Sequence, residues 1–443
     1  MIKRLIGRLM GQPSEKGSRP LRISSDEHNI EVGQISPCAS RIITNLHQAG
    51  YEAYLVGGAV RDLLLGFVPK DFDVVTDATP EEIRRVFRNS RIIGRRFRLV
   101  HVYCGRDMVE VSTFRAPHKT SSSKDRKGRL LHDNTFGSIN EDAIRRDFTV
   151  NALFYDPRSG EVLDFCGGYV DTQKNLLRII GAPVQRYRED PVRMLRAIRL
   201  SEKLGLTIDS KTKSPFKKQA GLLDGVPSAR LYDEFIKVVK SGSLASAVEQ
   251  IVNFGFHSAF FSKLDRVKER SKEGDFLRLI YKKTDDRINH GKSVSPAFLF
   301  AGVFWPEVNK RWNYVASDPK YMGALVRAIE EVSDVLSQTF IPKRLIADIR
   351  DIWYLQGRLL NRRGKKPTQV LRHQKFRAAY DFLQLRGISG EVPQELVDWW
   401  TQFQELEPQD REAWLERNTQ LGVNEPKKRL RRRSRKKRST EIS

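Results

Sequence analysis

The sequence predicts an α+β protein: a mixed-sheet head followed by an all-helical neck, body and tail. Two patterns carry that prediction. Short apolar runs of strand length alternate with helical periods up to about residue 180, and from Asp190-Pro191 to about residue 420 one helix-period segment follows another. The length adds that 443 residues suffice for two to four domains, each able to bury a core.

Residues 1–37 read as a poorly ordered lead-in, because 11–37 are rich in Ser, Pro, Gly and charge and hold no period. Met1 to Met10 lacks the continuous apolar core of a secretory signal and reads as a frayed terminus. The head occupies 38–180. From Ala39, the positions Ile42, Ile43 and Leu46 keep helical spacing to Gly50; Tyr54 to Val56 is a short buried strand, and Gly57-Gly58 lead into a helix through Leu65. Strands follow at Phe72 to Val75, Leu99 to Tyr103 and Met108 to Thr113, with a helix from Pro80 to Phe87 between them. The polar stretch Ala116 to Ile139 reads as a mobile loop. A neck over 181–265 and a body over 266–424 hold all six tryptophans, which read as core. A disordered basic tail, 425–443, ends the chain, with ten basic residues in the twelve positions from Lys427 to Arg438.

Composition narrows the function. No apolar stretch reaches the ~18 residues of a membrane span, and 79 Lys and Arg against 54 acids give a net charge of +25, which favours a polyanionic partner, nucleic acid first. Cys38, Cys104 and Cys166 are too widely spaced for a zinc knuckle or a redox pair and fit a reducing, cytoplasmic setting.

The chemistry is written in carboxylates. A strand running into Gly57-Gly58 and a helix lets the backbone approach a phosphate, although the same pair also makes a plain tight turn. Asp71 and Asp73 alternate with Phe72 and Val74, so both leave one face of a strand about 6.6 Å apart, within reach of a pair of divalent ions. An exposed strand face is the plainer reading of that pair. Glu110 decides between them, because it interrupts Met108-Val109-Glu110-Val111 on an inner strand, where an acid is costly unless paired or metal-bound.

Gly-Gly, Asp-x-Asp and a later acid resemble the signature of the nucleotidyltransferase superfamily. Further along, Arg145 to Leu153, Asp164 to Asp171 and Glu189 to Arg199 resemble, in order, motifs shared by bacterial poly(A) polymerases and CCA-adding enzymes. The resemblance implies that Asp71 and Asp73 bind two Mg²⁺ ions, with Mn²⁺ as a substitute, and that Glu110 helps activate the attacking hydroxyl. It further implies that Gly57, Gly58, Arg61, Arg145, Arg146 and Asn151 contact ATP, that Asp190 and Arg193 choose the base, and that Arg196 lies on the phosphates. Asp147 is implied as an essential acid near the sugar, while adjacent Arg and Asp can equally form a structural ion pair.

Ile92 to Val102 resembles the basic signature of bacterial poly(A) polymerases, which CCA-adding enzymes lack, and nominates Arg95, Arg96 and Arg98 for RNA. Ile352 to Tyr380 contains no acid, while Arg362, Arg363, Lys365 and Lys366 accumulate among Tyr354, Phe376 and Tyr380, a pattern suited to single-stranded RNA. The implied reaction is polyadenylation of RNA 3′ ends from ATP with pyrophosphate release. The alternative is CCA addition to tRNA. A relic scaffold would have no reason to keep Asp71, Asp73 and Glu110 together.

Overall fold

A computed structural model of the chain describes residues 19–94, 98–116, 135–256, 271–315 and 322–421. The chain divides into two compact units, Met1–Asp265 with Lys282–Ser293, and Arg266–Tyr281 with Val294–Ser443.

The first unit is built on an eight-stranded mixed sheet in the order β1-β8-β7-β2-β3-β6-β5-β4. Its strands are β1 (Leu21–Ile23), β2 (Ala53–Val56), β3 (Asp73–Thr76), β4 (Ser90–Ile93), β5 (Leu99–Cys104), β6 (Asp107–Thr113), β7 (Leu153–Asp156) and β8 (Glu161–Asp164). All neighbours pair antiparallel except β3 and β6, which run parallel. Period 2 decides which side chains are buried. Val74, Val100, Val102, Val109 and Val111 face α1 (Pro37–Gln48), whose Ile42, Ile43 and Leu46 lie a helical turn apart and complete that core. Val56, Val75, Phe114 and Phe154 form a second core with Ala143 of α4 (Ile139–Arg145) and Ile180. Val60 and Leu63 of α2 (Gly58–Leu64) and Ile83 of α3 (Pro80–Val86) join the first core, and α3 is opened by a Thr79–Glu82 capping box with Pro80 in the first turn.

Two expectations are corrected here. The lead-in is partly ordered: β1 pairs with β8, and Ile23, His28, Ile30 and Ile35 are buried. Three-residue strands and 3₁₀ turns carry too little period to be read from sequence. Cys38 and Cys104 are joined in a disulfide, Cα to Cα 5.8 Å, although 66 residues separate them. The fold brings the first turn of α1 against the end of β5, so cysteine spacing is no argument for a reducing compartment. Burial pushes the thiol of the remaining Cys166 up to about 12.

The first unit continues through α5 (Pro183–Glu189), α6 (Val192–Leu204) and α7 (Ser228–Val239). The second unit is helical, including α8 (Pro296–Val315), α9 (Met322–Ser337), α10 (Lys343–Leu359), α11 (Lys366–Leu371), α12 (Phe376–Ile388) and α13 (Gln394–Glu405). Trp305, Trp312, Trp353, Trp399 and Trp400 are buried, and Trp414 packs against the same core as Trp399 and Trp400. Among the described residues no helix is long and apolar enough to cross a membrane.

Candidate active site

Gly57 leaves β2 with φ 75° and ψ −124°, a conformation reserved for glycine, and turns the chain into α2. A Cβ on Gly57 would meet Arg146 Nη1 at 3.4 Å, so glycine also lets that guanidinium rest against the turn. Arg61 is buried. Its guanidinium donates to Asp62 Oδ1 at 2.6 Å and to Asn151 Oδ1 at 2.6 Å, so it orders Asn151 rather than standing free.

Asp73 opens β3 directly opposite Glu110 on β6, with Val56 of β2 on its other side. Cross-strand partners share a face, so the two carboxylates emerge side by side. Asp71 lies two residues before the strand, so the shared strand face predicted for both aspartates holds only for Asp73. Burial, then the charge of Glu110, raises the Asp73 carboxyl to about 6, against the opposing pull of Arg146. Glu110 itself is not the buried inner-strand acid predicted: β6 is interior to the sheet, but this face is open and the side chain is 48% exposed. His101 Nε2 on β5 stands 3.4 Å from Glu110 Oε1.

Around these acids, each cleft arginine is held by a partner. Asp142, fully buried on α4, accepts from Arg145 Nε at 2.9 Å and from Arg146 Nη2 at 2.7 Å. Burial pushes its carboxyl up, but the two guanidiniums outweigh that and hold it below the ordinary range. Asp147 accepts from Asn151 Nδ2 at 3.0 Å and from the Phe148 amide at 2.8 Å, and pairs with Arg196 at 2.6 Å. Its carboxyl is likewise held low: Arg196 and Asn151 overcome its burial. Glu189 receives Arg186 Nη1 at 2.8 Å and Arg193 Nη1 at 3.2 Å. Asp190 gives one oxygen to the Val192 amide at 3.2 Å and the other to Arg230 Nη2 of α7 at 2.6 Å.

A cavity of about 400 Å³ brings Asp73, Glu110, Asp147, Asp190, Arg193 and Arg196 together with Arg145 and Arg146. Sequence reading missed Leu99, Ser112 and Arg115 in its lining, and the supporting Asp142, Glu189 and Arg230. Asp142 was within reach, since an acid three and four positions before two arginines on a helix meets both. Arg230 gave no signal, being 40 residues from its partner.

Among the described residues no three His, Cys, Asp or Glu side chains form a metal cage. Mg²⁺ is commonly held by one or two carboxylates plus substrate phosphates, and burial together with the charge of Glu110 disfavours an uncompensated negative charge on Asp73, which a hard divalent cation would offset, so the donor set fits such an ion.

Of the predicted RNA contacts, Arg95 and Arg96 lie outside the described residues, as do most of the predicted loop and the whole basic tail. Arg98 pairs with Glu81. In the second unit Arg362, Arg363, Lys365 and Lys366 are exposed, whereas Phe376 and Tyr380 are buried in the core and offer no stacking face. The acid-free stretch also receives acids from outside it: Lys375 pairs with Asp348 at 2.7 Å and Arg377 with Asp381 at 3.1 Å.

Residues 53–178 match the Poly A polymerase head domain, 205–268 the probable RNA and SrmB-binding site of polymerase A, and 317–438 the polymerase A arginine-rich C-terminus. The chain is 42% identical over 407 residues to Poly(A) polymerase I of Salmonella typhimurium, covering 89% of this chain and 88% of that one. The CCA-adding enzyme of Lactobacillus helveticus is 37% identical over 200 residues, only 45% of this chain and 49% of its own. A solved tRNA-processing enzyme with CTP shares the fold, with a TM-score of 0.56 at 20% identity over 86% of this chain and 97% of its own. Similarity to that CCA-adding sequence covers less than half of the chain, whereas similarity to Poly(A) polymerase I covers 89% of it, so the chain belongs to the poly(A) polymerase family of nucleotidyltransferases.

Proposed function

We propose that this protein adds AMP from ATP to the 3′-hydroxyl of RNA, releasing pyrophosphate, and repeats the step without a template. The pairing of Asp73 with Glu110 beside the Gly57-Gly58 turn carries the reading, since it sets two carboxylates next to a backbone that a triphosphate can approach closely. Asp71 and Asp73 would hold two Mg²⁺ ions, whose positive charge would stabilise the attacking and leaving oxygens. Glu110 helps draw the proton from the 3′-hydroxyl. Arg146, poised against Gly57, and Arg145 meet the phosphates, both preset by Asp142. Pre-set donors cost little reorganisation when charge develops.

Base choice falls to the opposite wall. Both oxygens of Asp190 are already engaged, by Arg230 and by an amide. Arg193, fixed at Nη1 by Glu189 and the Arg186 carbonyl, keeps its other N–H groups for an acceptor nitrogen of the base. Asp147 and Asn151, locked to each other and to Arg196 and Arg61, support the sugar side.

The test is extension of a 3′-hydroxyl RNA with each NTP supplied alone and Mg²⁺ present, beside the Asp71→Ala/Asp73→Ala double variant. A long ladder with ATP alone, lost in the variant, is the expected result. A stop after three nucleotides that needs CTP and a tRNA-like acceptor overturns it in favour of CCA addition.

A further inference from the structure

The sheet face that carries the carboxylates continues beyond them, and nothing assigned so far uses it. Register aligns Arg91 of β4, His101 of β5, Glu110 of β6 and Asp73 of β3 in one row across four strands. The next row outward pairs Tyr103 with Met108, side chains that are 37% and 44% exposed. Period 2 sends Val100, Val102, Val109 and Val111 to the core on the other face, so this is a deliberate alternation and not a loose edge. The face thus sets an exposed tyrosine beside an exposed methionine, edged by an exposed arginine and contiguous with the carboxylates of the cleft.

The order of the strands says what the face is for. The glycine turn ends β2, Asp73 is on β3, Glu110 on β6 and His101 and Tyr103 on β5, each strand about 4.8 Å from the last. In-line displacement puts the attacking and leaving oxygens on opposite sides of the phosphorus. With the triphosphate at the β2 side, the attacking hydroxyl must arrive from the β6–β5 side, across Glu110.

We propose that the open face of β4, β5 and β6 is the track along which the last nucleotides of single-stranded RNA reach Glu110. The Tyr103 ring, set edge-on to His101 with centroids 6.5 Å apart, stacks a base just before the 3′ end; Met108 fills the space beside it, and Arg91 meets a backbone phosphate. Stacking on a ring tolerates any base, as an acceptor site that meets many RNA ends requires. The assignment rests on the function proposed above.

Two measurements test it together. RNA carrying 4-thiouridine at its penultimate position is photocrosslinked to the full chain; the expected adduct lies within residues 99–115, and an adduct elsewhere overturns the track. Steady-state extension then compares Tyr103→Ala and Tyr103→Phe with the wild type. Tyr103→Ala raises KM for RNA about tenfold, the effect of losing one base stack, while KM for ATP stays within twofold; Tyr103→Phe keeps KM for RNA at the wild-type value, since the ring suffices. Unchanged KM for RNA, as a protein-docking surface would give, or equal rises for RNA and ATP, overturns the proposal. A wild type that crosslinks here yet adds no AMP overturns the proposed function and leaves the track standing.

Discussion

The basic residues of the cleft and those around α11 differ in one respect, the partners that hold them. Arg145 and Arg146 share Asp142, Arg186 and Arg193 share Glu189, and Arg196 pairs with Asp147, the five arginine side chains each less than about two-fifths exposed. Arg362, Arg363, Lys365 and Lys366 stand exposed with no ion pair among the described residues; the Arg362 guanidinium lies 6.0 Å from the Trp399 ring centre. Held cations are aimed and can recognise one geometry. Unheld cations act through charge alone, which suits a polyanion of any sequence and makes binding sensitive to salt.

Removing a carboxylate from the centre of the cleft should give the largest effect. Asp73→Ala is expected to cut primer extension by three orders of magnitude or more, since metal-assisted charge stabilisation is worth several kcal/mol. Its stability should not fall: in the apo protein burial and Glu110 disfavour the charged form, so deletion relieves repulsion. A melting temperature that drops along with activity would show Asp73 to be structural.

Asp142→Asn tests the holding itself. Both guanidiniums keep partial access to water, so the cost should sit near the low end for breaking a buried pair, about 3 kcal/mol. The sign against pH follows from the depressed carboxyl. Burial raises it, the arginines lower it further, and the net depression gives stability that is present above the ordinary carboxylate pKa of about 4 and is lost as pH falls through the lower folded-state value. Denaturant midpoints of wild type and variant should therefore be far apart at pH 7 and converge in acid. A gap of constant size from pH 7 to pH 3 would mean the arginines are not held by charge.

The same distinction explains what sequence could show. Asp73 was legible because strand period fixes faces, whereas Glu110 was nominated for a burial it does not have, and Gly57-Gly58, which can equally make a plain tight turn, drew notice only through the carboxylates that follow. Pairing across long separations was not: Cys38 with Cys104, Asp190 with Arg230 and the row from Arg91 to Asp73 exist only once strands and helices are assembled. The aromatics among the basic residues of the second unit misled for a related reason. Phe376 and Tyr380 share one helix with Arg377, and only the placement of α13, whose Thr401 hydroxyl meets Tyr380 at 2.6 Å, decides that the rings face inward.

Charge that acts without aimed contacts predicts smaller, additive effects. Deleting residues 427–443 removes ten basic side chains from Lys427 to Arg438 and should lower the slope of log affinity for RNA against log salt by several units, with turnover at saturating RNA unchanged. The paired variant Lys365→Ala/Lys366→Ala is the finest probe. If each lysine neutralises one phosphate of a single strand, the slope falls by about 1.4 and affinity by a few-fold, equally for RNAs of different sequence. The comparison breaks if the loss depends on RNA sequence, because that requires aimed contacts. It is sharpened if Lys375→Ala, whose ammonium is tied to Asp348 at 2.7 Å, leaves the slope where it was: a cation already paired releases its acid on binding, and little net charge is gained.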